Sequence, residues 1–166
     1  MNPLTTEAEG NIWQGLVHHY KKLNLALARF LFDEANRIPI LREALKTGDR
    51  AAAIYVASHL KTAELMELFE EFVFLASFSH GGLAPVRQVI LSLPRDWVLS
   101  RIENVVSPLI ERGTYDEYRR FLELYSDLNH QLALNLANKA AQHSDEDIRE
   151  AGKDFIEYLN VFSSAS

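Results

Sequence analysis

Cysteine is missing altogether from the 166 residues. That removes a disulfide framework, a thiolate zinc site and a cysteine nucleophile together, and it suits a reducing compartment, so a cytoplasmic location is expected. Glycine and proline are sparse, seven and five residues. No G-x-G-x-x-G or Walker sequence occurs among them, and Gly81-Gly82 is too short to cradle a phosphate, so it reads as a helix stop and turn. No sustained apolar–polar alternation and no Asn-Gly or Asp-Gly turn signals a strand. Long apolar runs are lacking too. The longest, Phe72 to Phe78, falls far short of the roughly 18 residues a membrane span needs, and Met1-Asn2-Pro3-Leu4 has neither the basic start nor the apolar core of a secretory signal. No membrane association is expected. The net charge of −6 repels phosphate backbones, which makes nucleic acid an unfavourable partner.

What the chain does have is helical periodicity. Hydrophobic residues make up 48% and charged residues 24%, a globular balance that argues against disorder. Between Asp145 and Leu159, the residues Ile148, Ala151, Phe155, Ile156 and Leu159 share one helix face, while Arg149, Glu150, Lys153, Asp154 and Glu157 take the other. Phe155, central in that stripe, is expected in the core. Ser144 stands where an N-cap belongs, ahead of three acids that suit the helix dipole. Similar reasoning predicts about nine helices, over residues 11–35, 39–47, 49–60, 62–79, 85–93, 96–112, 115–127, 131–143 and 145–161. Pro39 and Pro85 fall in first turns, and Gly48 and Gly113 at stops. The links are short, so neighbouring helices are expected to pack antiparallel. One helical-repeat domain is read over residues 1–162, with residues 163–166 a frayed tail.

Four segments share a layout of a turn residue, an acid or small residue, a helix carrying arginine and a closing leucine. Their arginines, Arg50, Arg87, Arg119 and Arg149, are spaced by 37, 32 and 30 residues. Each such helix follows another, and a lone pair cannot bury its apolar face, so pairs stack into one core. The expected fold is all-α, a right-handed α–α superhelix of antiparallel helix pairs. The stretch Asp145-Glu146-Asp147-Ile148-Arg149-Glu150-Ala151, with Phe155 and Leu159, resembles the second helix of a HEAT-type or armadillo-type repeat. Ala84-Pro85-Val86-Arg87 echoes it, and Pro108 stands where first helices of that family are often bent. Near the N-terminus, Trp13, Leu16, Tyr20, Ala28, Phe32, Ala35 and Pro39 resemble a tetratricopeptide repeat instead, with Val17 where that family prefers glycine. Both resemblances imply an α-solenoid.

No catalytic set stands out. His18 and His19 are adjacent on a helix and point about 100° apart, which cannot easily serve one metal. Asp127 and His130 fit a cap and a turn better than half a metal site. Glu67, Glu70 and Glu71 fit the solvated stripe of an otherwise apolar fourth helix. No cofactor, metal or catalytic residue is assigned. The most binding-like residues are Arg87, Tyr118, Arg119, Arg120, Arg149 and Lys153, because arginine and tyrosine carry interface energy and the repeat aligns them. The expected function is a non-catalytic protein–protein interaction or scaffold module, its partner another protein or peptide of acidic character. Two alternatives stay open. One is a helical enzyme built from residues such as His59, His80 and the fourth-helix carboxylates. The other is a self-associating structural or regulatory protein, suggested by the aromatic fourth helix.

Overall fold

The computed structural model describes residues 3–163, with side chains described for residues 11–161. Among the described residues there are eleven α-helices and no strand. They are α1 Pro3–Phe32, α2 Arg37–Lys46, α3 Arg50–Ala57, α4 Thr62–Glu67, α5 Phe69–Leu75, α6 Leu83–Ser92, α7 Arg95–Leu99, α8 Ile102–Ile110, α9 Tyr115–Leu128, α10 His130–Ala140 and α11 Glu146–Ser163. The chain divides into two compact units, Met1–Leu41 and Arg42–Ser166. Of the expected frayed tail, Ser163 closes α11 and residues 164–166 lie outside the described residues.

The count exceeds nine because two expected helices are each broken in two. The fourth is interrupted at Leu68, whose φ of −103° and ψ of 12° leave the helical region. Leu68 is wholly buried, and bending there lets Leu65 on one side and Phe69, Phe72 and Val73 on the other all reach the interior. The sixth is interrupted at Ser100 and Arg101. The Ser100 hydroxyl donates to the Trp97 carbonyl at 2.8 Å, a local bond that competes with the helical ladder. Pro108 sits inside α8 without ending it.

The first unit is essentially α1 with the turn that follows. Asn36 donates to both Asp33 carboxylate oxygens at 3.1 Å, and the Arg37 guanidinium donates to the Leu31 carbonyl at the end of α1. Ile12, Trp13, Leu16, Tyr20 and Phe32 of α1 are all exposed, four of them residues that carry the tetratricopeptide resemblance.

In the second unit α9 is central. Tyr118, Phe121, Leu122, Leu124, Tyr125 and Leu128 are buried along one broad face, and α6, α8, α10 and α11 all pack against it. The four helices carrying the repeated arginines meet in succession: α3 packs on α6, α6 on α9, and α9 on α11. Their companions pair with them, α5 with α6, α8 with α9 and α10 with α11, and α5 also packs on α8. As expected of the apolar fourth helix, α5 buries Phe69, Phe72, Val73 and Leu75.

Two expectations for the last helix need correction. Phe155 is half-buried, its ring edge-on to Tyr158 at 6.1 Å. The face that enters the core is Ile148, Ala151, Gly152 and Leu159, one step round from the stripe centred on Phe155. The N-cap is Asp145 rather than Ser144, since the Asp145 carboxylate accepts from the Ile148 amide at 3.1 Å.

Small residues set the approach of α10 to α11. Ala133, Ala137 and Ala140 of α10 and Ala151 of α11 are buried, and a Cβ built on Gly152 would lie 2.3 Å from the Ala141 amide nitrogen and 2.8 Å from the Ala137 carbonyl oxygen. Backbone atoms cannot swing aside, so the helices would have to separate. Gly152→Ala is therefore expected to cost about 2–3 kcal/mol despite alanine's better helix propensity. Chemical denaturation checks this; a variant as stable as the parent would mean the two helices slide freely.

Candidate partner-binding surface

The start of α9 is fixed by its own sequence. The Glu117 carboxylate accepts from the Thr114 amide at 2.7 Å and from the Thr114 hydroxyl at 2.5 Å, which satisfies donors that a helix start leaves free. Asp116 reaches further. Its carboxylate accepts from the Ser79 amide and the Ser79 hydroxyl, each at 3.1 Å, and so ties the start of α9 to the loop after α5.

With α9 so placed, three arginines converge on one carboxylate. Arg87 of α6 approaches Glu123 Oε2 at 2.6 Å, and Arg120 Nη1 approaches the same oxygen at 2.7 Å. Arg119 Nε lies 3.5 Å from Glu123 Oε1. Arg120 also pairs with Asp116 at 3.3 Å, and Arg87 donates to the Arg120 carbonyl at 2.9 Å. Arg87 Nε is buried and has no hydrogen-bond partner. Arg119, the most exposed of the three, donates to the Tyr115 hydroxyl at 2.7 Å and lies over the Tyr115 ring. That hydrogen bond is the main reason its guanidinium titrates above the usual range. Three cations thus gather around Glu123 and Asp116, and the Asp154 carboxylate of α11 also acts on Arg119.

The other expected site residues are placed differently. Tyr118 is 2% exposed with its ring on His143 at 5.3 Å, and burial pushes its phenol upward. It supports the surface from beneath, and Tyr115 is the exposed tyrosine. Arg149 spends its guanidinium on the His143 and Ser144 carbonyls, at 3.0 and 2.7 Å. Lys153 is exposed on the next turn of α11. The Arg119–Glu123 and Arg120–Glu123 spacings are helical neighbours and readable in the sequence. The Arg87–Glu123 and Ser79–Asp116 contacts span 36 and 37 residues and had no local signal.

A second hollow, of about 670 Å³, is lined by Thr47, Arg50, Tyr55, Ser58 and His80 with Gly81 and Gly82. Its histidine is fully engaged by backbone. His80 Nδ1 accepts from the Gly82 amide at 3.0 Å, so Nε2 carries the proton it gives to the Leu75 carbonyl at 2.9 Å. His59 is exposed and makes its contacts to Ser58 and the Tyr55 carbonyl. Among the described residues no group of three or more His, Asp or Glu side chains is placed to hold a metal ion, and no helix is long and apolar enough to cross a membrane. The chain matches no protein-family model, no curated protein and no solved structure.

Burial pushes the Asp116 carboxyl up, but the Ser79 hydrogen bonds and Arg120 outweigh it, and the group titrates below its ordinary 3.8. Glu117 behaves likewise, with burial outweighed by the Thr114 hydrogen bonds, and sits below 4.5. A depressed carboxyl contributes stability that is complete above its unfolded pKa and is lost as pH falls through the folded one. Asp116→Asn is expected to lower stability at neutral pH. Its deficit should narrow between about pH 5 and pH 3 as the parent loses the same contribution. Urea midpoints measured across that range test this; a deficit independent of pH would detach Asp116 from the acid limb.

Proposed function

We propose that the chain is a non-catalytic protein–protein interaction module, an α–α superhelix of antiparallel helix pairs of HEAT or armadillo type, acting in the cytoplasm on an acidic protein segment. One observation carries the reading. The helices α3, α6, α9 and α11 each bear an arginine at the repeat position and pack one on the next. In stacked helix pairs such a succession forms an extended surface, and surfaces of that kind bind peptides and domains. The warrant is in part an analogy of fold.

The contact chemistry supports an acidic ligand. Three guanidinium groups gather around Glu123, although the chain as a whole is acidic with a net charge of −6. A carboxylate from a partner could be held by Arg119 together with the Tyr115 hydroxyl. Arg–carboxylate pairing supplies direction as well as charge.

A synthetic peptide rich in Asp and Glu is expected to bind the full chain, with affinity falling as salt rises. Arg119→Glu should weaken it by at least about tenfold, roughly 1.4 kcal/mol, and leave the melting temperature nearly unchanged, because Arg119 is the least buried of the three arginines. Fluorescence anisotropy measures both effects. No binding by the parent, or equal affinity for the variant, would overturn this assignment of the surface.

A further inference from the structure

The hollow of about 670 Å³ beside His80 belongs to the second unit alone, since its described lining runs from Thr47 to Pro85. One wall is α3. Arg50, Ala51, Ile54, Tyr55 and Ser58 recur at helical spacing along one side of it. The opposite wall is the turn from His80 to Gly82 and the first turn of α6. The two walls touch at their base. A Cβ on Gly82 would lie 2.7 Å from Ile54 Cδ1, so turn and helix already meet there. His80 is held by its two backbone hydrogen bonds, which fixes that wall. The hollow is thus framed by packed elements, and its size falls within the range of small-molecule sites.

Its charge is one-sided. Among the described lining residues there is one Arg, Arg50, and no Asp or Glu. Arg50 Nε donates to the Leu45 carbonyl at 3.1 Å, and the guanidinium carbon stands 5.4 Å over the Phe78 ring. The group is therefore oriented before any ligand arrives. Among the described residues its two terminal nitrogens have no acceptor, and no carboxylate lies within ion-pair distance of it. Asp49, next in sequence, is exposed and lies outside the lining. Asp116, which reaches the neighbouring Ser79, is taken up by that serine and by Arg120. The Tyr55 hydroxyl likewise has no hydrogen-bond partner among the described residues, and its ring is 41% exposed. The rest of the surface is apolar, supplied by Ala51, Ile54 and Pro85.

We propose that this hollow binds a small organic acid, one carboxylate carried on an apolar body. A guanidinium with unspent terminal donors pairs with both oxygens of a carboxylate. A single cation matches one negative charge, not the nearly two of a phosphate monoester. Ile54, Ala51, Pro85 and the Tyr55 ring let the apolar body leave water. An extended peptide fits less well, because neither wall is a sheet edge with backbone groups to pair. The site goes beyond the interaction-module reading. It shares no residue with the Arg119 cluster, so acid binding here and peptide binding there fail independently.

The test is an NMR titration of the full chain with phenylbutyrate, following the backbone amides of Ala51, Gly81 and Gly82. A saturable shift is expected, with a dissociation constant of about 1 mM or tighter. Phenylbutanol keeps the apolar body without the charge, and acetate keeps the charge without the body. Each should bind at least about tenfold more weakly. Arg50→Gln should weaken phenylbutyrate by a similar factor. Because that change also removes the bond to the Leu45 carbonyl, Ala51→Leu provides a second variant. It fills the hollow, leaves Arg50 in place and suits a helix, so it should abolish the shift while the melting temperature holds. No saturable shift in the parent overturns the proposal. So does equal binding of acid and alcohol, or an Ala51→Leu variant that binds as the parent does. A short peptide ending in phenylalanine with a free carboxylate that binds more tightly than phenylbutyrate overturns the assignment to a small acid.

Discussion

Short helices leave many ends, and each C-terminal end exposes carbonyls with no partner inside the helix. That constraint governs this chain, and arginine answers it repeatedly. Arg37 donates to the Leu31 carbonyl near the end of α1, Arg50 to Leu45 near the end of α2 at 3.1 Å, and Arg42 to Glu67 at the end of α4 at 2.8 Å. Arg95 donates to Leu128 at the end of α9 at 3.1 Å, and Arg149 to His143 and Ser144 just beyond α10. The guanidinium suits the task because its donors stay charged and fan out in a plane, so one side chain can satisfy a carbonyl and still meet a carboxylate. Arg42 does both, holding the Glu67 carbonyl and the Glu71 carboxylate.

This changes the meaning of the four regularly spaced arginines, Arg50, Arg87, Arg119 and Arg149. Arg50 and Arg149 stand at the start of their helices and reach back to the end of the helix before. In those two positions the repeated residue serves the turn within a helix pair. Arg87 and Arg119 occupy later turns, and their guanidinium groups go to α9. The four arginines stand on helices that pack in succession, while their side chains divide between holding turns together and lining a surface.

Helix content, the order of the elements, the proline starts and the glycine stops were legible because each rests on residues within one turn of each other. The two breaks were not. Nothing around Leu68 violates helical propensity, and its break lets residues on both sides reach an interior that only the tertiary fold defines; at Ser100 the hydroxyl bond to the Trp97 carbonyl competes with the ladder, but a single serine in a helical pattern does not announce a break. The error at Phe155 has a related cause. Periodicity gives the apolar face of α11 but not its centre, and the centre is set by Gly152, the residue on which α10 comes closest. At the candidate surface the pairs on α9 were readable at helical spacing. The convergence of Arg87 from α6 and the bond from Ser79 to Asp116 depend on which helices meet, and no local pattern encodes that.

The Glu123 cluster also limits what a ligand can gain there. Arg87 and Arg120 are about four-fifths buried at their side chains, and their attraction to Glu123 offsets the cost of taking those charges out of water. A partner carboxylate that drew them away from Glu123 would leave that anion short of donors, so competition for these two arginines yields little net affinity. Arg119 is in another position. Its contact with Glu123 is the longest of the three at 3.5 Å, its hydrogen bond goes to the neutral Tyr115 hydroxyl, and Asp154 attracts it without a direct contact. A carboxylate could add to that pair without breaking an ion pair beneath it. The buried arginines then act as fixed positive charge under the surface, favouring an anion without moving, while Arg119 and Tyr115 supply the hydrogen bonds that give it direction.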